Sequence, residues 1–112
     1  MAFEKNKTIN GHTNNYWRLL GITIGINEND AHCVFGLYKD KATRDANKYD
    51  IVKKVRFNLN SELLNSSGNS DTIKNINTAK AYTALKTRAV AEEAKTENKN
   101  TELSYFNDAT TV

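Results

Sequence analysis

The chain has 112 residues, of which 38% are hydrophobic, with a formal net charge of +3, one cysteine and no proline. This length fits one compact domain and argues against a two-domain enzyme. No apolar run approaches the roughly 20 residues of a membrane span, and residues 1–7 lack the apolar core of a signal peptide. We therefore expect a protein made in the cytoplasm. A single cysteine excludes an intrachain disulfide and a cysteine-based metal cluster.

The positive charge is concentrated between Lys39 and Arg56, where seven basic residues stand against three acidic ones. A basic segment can bind phosphates. The interspersed acids favour a solvated face instead, and no aromatic residues interleave with the cations as single-strand binding requires. Nucleic-acid binding is thus the alternative hypothesis, and its basic patch is Lys39, Lys41, Arg44, Lys53, Lys54 and Arg56.

The N-terminal half of the chain predicts antiparallel strands. Residues 3–9, followed by Asn10-Gly11, are typical of a strand that ends in a tight turn. Residues 15–27 alternate apolar and small or polar side chains, and residues 31–38 are rich in strand-forming types. The polar cluster 27–30 between them predicts a hairpin.

The apolar spacing also predicts how the two strands of this hairpin pair. One face becomes apolar throughout if the facing pairs are Ile26–Ala31, Ile24–Cys33, Ile22–Phe35 and Leu20–Leu37. Gly21 then faces Gly36, which would let another backbone or side chain approach closely. The opposite face carries the candidate assembly contacts Trp17, Leu19, Val34 and Tyr38. That face is either covered by the protein's own C-terminal part or forms a subunit contact with Trp17 and Tyr38 as aromatic anchors.

The remaining segments complete the prediction. Residues 50–60 read as a third strand with Ile51, Val55, Phe57 and Leu59 on its apolar side, where Lys53 is the one charged residue. The polar link 39–49 holds a short helical turn around 42–46. Residues 65–71 read as a flexible loop. Residues 78–95 predict a helix with Asn77 as N-cap and an apolar stripe of Ala81, Tyr82, Leu85 and Ala89. Residues 103–106 predict a short strand, and 107–112 an exposed tail.

These elements predict a single α+β domain over residues 1–112, built as a small antiparallel β-meander with one C-terminal α-helix packed on or beside it. Its predicted parts are a β-rich sheet (1–60), a flexible loop (61–77), a helix (78–99) and a short strand with a tail (100–112).

Reactive groups that could converge on a substrate are sparse. His12 lies in a polar turn, and His32 and Cys33 are strand neighbours that point to opposite faces. Cys33 then behaves as a small buried hydrophobe. The adjacent Glu92 and Glu93 fit a solvated helix face better than a general acid and base. We expect no enzymatic activity, no cofactor and no metal.

Several short motifs resemble a family of small proteins encoded among the virion-structure genes of tailed bacteriophages and prophages. The likeness runs nearly end to end, although the stretch 88–101 departs from the family, which passes quickly from helix to terminus. The motifs are Met1-Ala2-Phe3-Glu4-Lys5, Asn10-Gly11, Tyr16-Trp17-Arg18, Val34-Phe35-Gly36-Leu37-Tyr38-Lys39-Asp40-Lys41, Ala81-Tyr82-Thr83-Ala84-Leu85-Lys86-Thr87 and Phe106-Asn107-Asp108-Ala109-Thr110.

The resemblance implies a small β-rich virion component from the tail, baseplate or neck. Its partners would be copies of itself and other virion proteins, with neither nucleic acid nor membrane as a partner. Segments 61–71 and 107–112 would become ordered on assembly. The alternatives are a small basic regulatory or nucleic-acid-binding module and a capsid decoration protein.

Overall fold

The computed structural model describes residues 1–25, 30–63 and 78–112. The strands are β1 (Phe3–Ile9), β2 (His12–Gly25), β3 (Asp30–Tyr38), β4 (Lys53–Asn58) and β5 (Thr110–Thr111). The helices are α1 (Lys41–Ala46), α2 (Asn60–Leu63), α3 (Thr78–Glu93) and α4 (Thr101–Ser104), and a 3₁₀ helix spans Tyr105–Asp108.

The strands form one antiparallel sheet in the order β4-β3-β2-β1-β5. The predicted α+β class, the turn at Asn10-Gly11 and the short helix after β3 are confirmed. Both turn residues have positive φ, 52° at Asn10 and 80° at Gly11, which is the conformation that a tight hairpin turn needs. The third strand is shorter than the predicted 50–60, and the predicted loop 61–77 is wrong at its start, because β4 ends at Asn58 and residues 60–63 form α2 with Leu63 in the core. Asn77, the predicted N-cap, and the rest of the predicted loop, residues 64–77, lie outside the described residues.

The main core lies between the sheet and the helices α3 and α4 with the 3₁₀ helix, and we call this side of the sheet the core face. Its centre is a group of rings in edge-on contact: Phe3 with Tyr82 at 5.1 Å, Phe35 with Tyr82 at 5.4 Å, and Trp17 with Phe106 at 4.9 Å between centroids. Such contacts add to the hydrophobic gain of burying the rings. The predicted stripe of α3, Ala81, Tyr82, Leu85 and Ala89, is buried against this core.

The predicted pairing of β2 with β3 is wrong, because β2 contains a bulge at Leu20. Ile22 faces Cys33 and Ile24 faces Ala31, whereas before the bulge Trp17 faces Leu37. One extra residue reverses the alternation of faces along the strand. Trp17 and Leu19 therefore share the core face with Ile22 and Ile24, and Leu20 turns to the other side. Gly21 faces Val34, and Gly36 faces Arg18, so the predicted Gly21–Gly36 pair does not form.

A second, smaller cluster lies on the opposite side of the sheet, which we call the outer face. Ala2, Tyr16 and Tyr38 are buried there, and Ile51 packs against them. The hydroxyl of Tyr38 donates a 2.5 Å hydrogen bond to the carbonyl of Lys48. The segment after β3 thus covers one end of the outer face, and Ile51 packs there instead of beside Val55 and Phe57.

The C-terminal prediction needs correction. Residues 103–106 belong to α4 and the 3₁₀ helix, where Leu103 and Phe106 are buried in the main core. The predicted tail is ordered, since β5 pairs with β1 and Val112 exchanges two 2.8 Å backbone hydrogen bonds with Ala2. The predicted helical segment 78–99 is shorter in the structure, because α3 ends at Glu93. None of the described helices is both long enough and apolar enough to cross a membrane.

Candidate functional site

The four candidate assembly contacts do not share one surface. Trp17, with 1% of its surface exposed, and the half-buried Leu19 pack into the main core. Tyr38 is also 1% exposed, but it lies in the cluster on the outer face, and Val34 lies half-buried on that face. The prediction of one contact face is therefore wrong, and the bulge at Leu20 is the reason. Trp17 and Tyr38 stabilise the protomer itself.

Tyrosine hydroxyls satisfy backbone groups at both bulges of the sheet. At the β2 bulge, the Tyr82 hydroxyl accepts the N–H of Leu19 over 2.7 Å. At the β1 bulge, the single hydrogen of the Tyr105 hydroxyl is shared between the carbonyls of Lys5 at 2.9 Å and Asn6 at 3.0 Å. Burial raises the pKa of both phenols, which keeps them protonated. The β2 bulge, which places Trp17 and Leu20 on opposite faces, and the β1 bulge are thus each hydrogen-bonded by a side chain of the helical layer.

The remaining part of the outer face is the candidate site. No described element covers its centre, where Leu20 is 38% exposed and lies directly on Gly36. A Cβ at Gly36 would stand 2.8 Å from Leu20 Cδ1, so the missing side chain makes room for the leucine. The strand pairing places Arg18, Gly36 and Lys54 in one row across three strands, and Gly21, Val34 and Arg56 in the next. We call Arg18, Leu20, Val34, Lys54 and Arg56 the outer patch.

The six residues of the predicted basic patch are divided by the fold. Lys54 and Arg56 point to the outer face, whereas Lys53 lies in register with Leu37 on the core side, at the edge of the sheet. Around α1, Lys41 and Arg44 approach Asp45 at 3.9 and 3.6 Å. Lys39 precedes this helix and is exposed. The structure brings together Lys54, Arg56 and Arg18, of which sequence reasoning missed Arg18.

Leu20 is the second residue that sequence reasoning missed for this surface. Its signal was present as the doublet Leu19-Leu20, because two adjacent leucines cannot both point into the core of a regular strand. A bulge resolves that conflict by giving one leucine to each face.

The titratable groups considered from the sequence are dispersed. His32 and Cys33 point to opposite faces as predicted, and burial raises the pKa of the Cys33 thiol to about 11. His32 Nε2 lies 2.5 Å from Asp30 Oδ2, and Asn58 donates to Asp30 Oδ1 over 3.0 Å.

Glu93 is exposed as expected, but Glu92 is only 5% exposed. Its carboxylate pairs with Lys95 and accepts the N–H of Asn100, which lowers its pKa, and so it holds the turn after α3.

The grooves of the described surface contain few reactive side chains. One groove of about 750 Å³ runs between the β1–β2 turn and α1 and includes His12, Lys39, Thr43 and Asp50. A groove of about 390 Å³ beside α3 is lined by Met1, Tyr82 and Val90 among others. Within residues 1–25, 30–63 and 78–112, no three His, Cys, Asp or Glu side chains are grouped so as to hold a metal ion.

Comparison of the chain with protein-family models, with curated proteins and with solved structures finds no match.

Proposed function

We propose that this chain is a non-enzymatic structural component of a tailed-phage virion, in the tail, baseplate or neck, that acts through protein contacts in a symmetric assembly. The observation that carries the proposal is the outer patch. It combines an apolar centre, Leu20 over Gly36 with Val34 in the next row, with a rim of Arg18, Lys54 and Arg56 on a part of the sheet that no described element covers. An apolar centre with a polar rim is the usual anatomy of a protein contact.

The position of the patch on a rigid sheet supports the same proposal. Three paired strands hold its residues at fixed spacing, and the helices seal the reverse side of the sheet into a core. A contact surface on such a support loses little freedom on binding, which favours affinity. The resemblance to short virion proteins supports the particle as the location.

The experiment that tests this proposal is incorporation into particles. The chain is supplied in trans to a phage that lacks its own copy, and particles purified by density gradient are probed for it. We expect the wild type to co-purify and Leu20→Glu with Val34→Glu to be excluded while it remains folded by circular dichroism. Thr8→Glu with Thr87→Glu places the same charge on exposed positions outside the patch and should be incorporated. Absence of the wild type from every particle fraction would refute the proposal.

Nucleic-acid binding is the second candidate, because Arg18, Lys54 and Arg56 lie together on one face. A phosphate-binding surface loses affinity steeply between low and moderate salt. Retention on single- and double-stranded DNA columns across a salt series distinguishes the two. Salt-dependent binding that Lys54→Glu with Arg56→Glu abolishes without unfolding would favour this candidate. The fraction that contains the chain, heads or tails, distinguishes a capsid decoration protein from a tail component.

A further inference from the structure

Among the described residues, the second half of β2 is paired with a strand on one side only. From His12 to Trp17 the strand pairs with β1 on one side, and from Tyr16 onward it pairs with β3 on the other. Beyond Trp17, the described strands provide a partner only on the β3 side. We call Leu20–Gly25 the β2 edge. Its backbone can accept another strand, as open sheet edges generally do.

The β2 edge has no charged side chain. Its sequence is Leu20-Gly21-Ile22-Thr23-Ile24-Gly25. Ile22 and Ile24 are half-buried and pack against the main core, whereas Thr23 is exposed on the outer face. β-Branched residues with one half-buried side are well suited to strand pairing. The β2 edge thus borders the main core and itself lacks the charges that usually protect an edge. Within the described part of the chain, a groove along it is lined by Leu20, Gly21 and Ile22 with Thr78 and Tyr82 of α3.

The strand β4, at one edge of the sheet, is protected by contrast. It carries Lys53, Lys54 and Arg56 within six residues. If two copies paired through β4, these cations would oppose each other, and like charges on facing positions destabilise a sheet. Lysines on an edge strand are a common protection against such pairing. Charge therefore permits a second copy at the β2 edge and disfavours one at β4.

We propose that the β2 edge pairs with the same edge of a second copy, antiparallel and about a two-fold axis, so that two sheets become one. This inference rests on the proposed function and names the first contact of the assembly. The register of this pairing follows from the face of the sheet that each side chain of the β2 edge occupies. If Thr23 lies opposite Thr23 of the second copy, Ile22 lies opposite Ile24 of that copy, and all four isoleucines remain on the core side. A shift by one residue would set Ile22 against Thr23 and break the apolar row.

The first test measures mass and affinity by sedimentation equilibrium of the full chain. The wild type should form a concentration-dependent dimer. Thr23→Lys puts two like charges on facing positions at the axis and should raise the dimer dissociation constant about two- to fivefold. Thr13→Lys is the matched control, because Thr13 is an exposed threonine of the same strand that pairs with Thr8 of β1. It should leave the dimer unchanged. A mixture of Thr23→Lys and Thr23→Glu chains should recover a mixed dimer.

The second test keeps the proposal falsifiable if the lysine variant fails to fold. Facing residues of an antiparallel pair have Cα atoms about 4.5–5.5 Å apart, which is within disulfide range. Thr23→Cys should form a covalent dimer under oxidised glutathione, whereas Thr13→Cys should not. The native Cys33 is fully buried and should stay unlinked in both.

Three results would overturn the inference. These are a wild type that is monomeric at every concentration, a dimer that Thr13→Lys weakens as much as Thr23→Lys, and a dimer that only Lys54→Glu with Arg56→Glu dissociates. Incorporation of a strictly monomeric chain into particles would refute the β2 contact alone. A dimer that enters no particle would refute the proposed function and leave the contact intact.

Discussion

The indole N–H of Trp17 donates a 3.2 Å hydrogen bond to the hydroxyl of Tyr105, 88 residues away in the chain. The same hydroxyl donates to the carbonyls of Lys5 and Asn6 at the bulge of β1. The Tyr105 ring stands edge-on to Trp17 at 5.8 Å. One side chain of the 3₁₀ helix therefore links two strands and the largest core residue.

Replacement of Tyr105 by phenylalanine tests this link. The change removes the hydroxyl, and the Trp17 N–H and two carbonyls lose their partner in a part-buried place. We expect the free energy of unfolding to fall by about 1–3 kcal/mol in urea titrations. Tyr49→Phe is the control, since Tyr49 is 77% exposed, and it should stay within about 0.5 kcal/mol of the wild type. Equal effects of the two changes would contradict the role of Tyr105.

Truncation of Trp17 and Leu20 tests which face each residue occupies. Trp17→Ala should destabilise the isolated chain by about 3–5 kcal/mol, because it removes a buried ring from the main core. Leu20→Ala should cost much less, since that side chain is substantially exposed. Chemical denaturation of both variants is the measurement. A larger loss at Leu20 than at Trp17 would mean that β2 lacks the bulge.

The contact between Leu20 and Gly36 predicts energetic coupling. Gly36→Ala brings a methyl group to 2.8 Å from Leu20 Cδ1, so the leucine must move. We expect Gly36→Ala to cost about 1 kcal/mol in the wild type and less in a Leu20→Ala background. A double-mutant cycle measures the difference, and contacting residues typically couple by about 0.5–3 kcal/mol. Strict additivity would show that the two residues do not touch.

The buried thiol of Cys33 predicts a loss of stability in alkali. Burial raises its pKa from 9.0 to about 11. Between these values the unfolded chain has lost the proton and the folded chain has kept it, so the free energy of unfolding decreases as the pH rises from about 9 to 11. Urea titrations across this range should show a steeper decline for the wild type than for Cys33→Ala. The thiol should also react with a thiol reagent at pH 8 only as fast as the chain unfolds.

The sequence predicted the local elements well because they depend on local chemistry. The alternation in β2 and β3, the Asn10-Gly11 turn and the apolar stripe of α3 each follow from the spacing of a few neighbouring residues. The prediction of a strand at Tyr105 and Phe106 is wrong. These residues occur in strands and helices alike, and their contacts with Trp17 and Phe3 join opposite ends of the chain.

The sequence by itself determined that this chain forms an antiparallel sheet with a helix beside it, because the periodicity of apolar residues requires a buried face on each element. Only the tertiary structure decided which residues occupy that face. A single extra residue at Leu20 reverses every side chain beyond it, and the helical layer determines whether that bulge is satisfied, through the hydroxyl of Tyr82. The surface left for partners follows from that long-range contact, which no local pattern specifies.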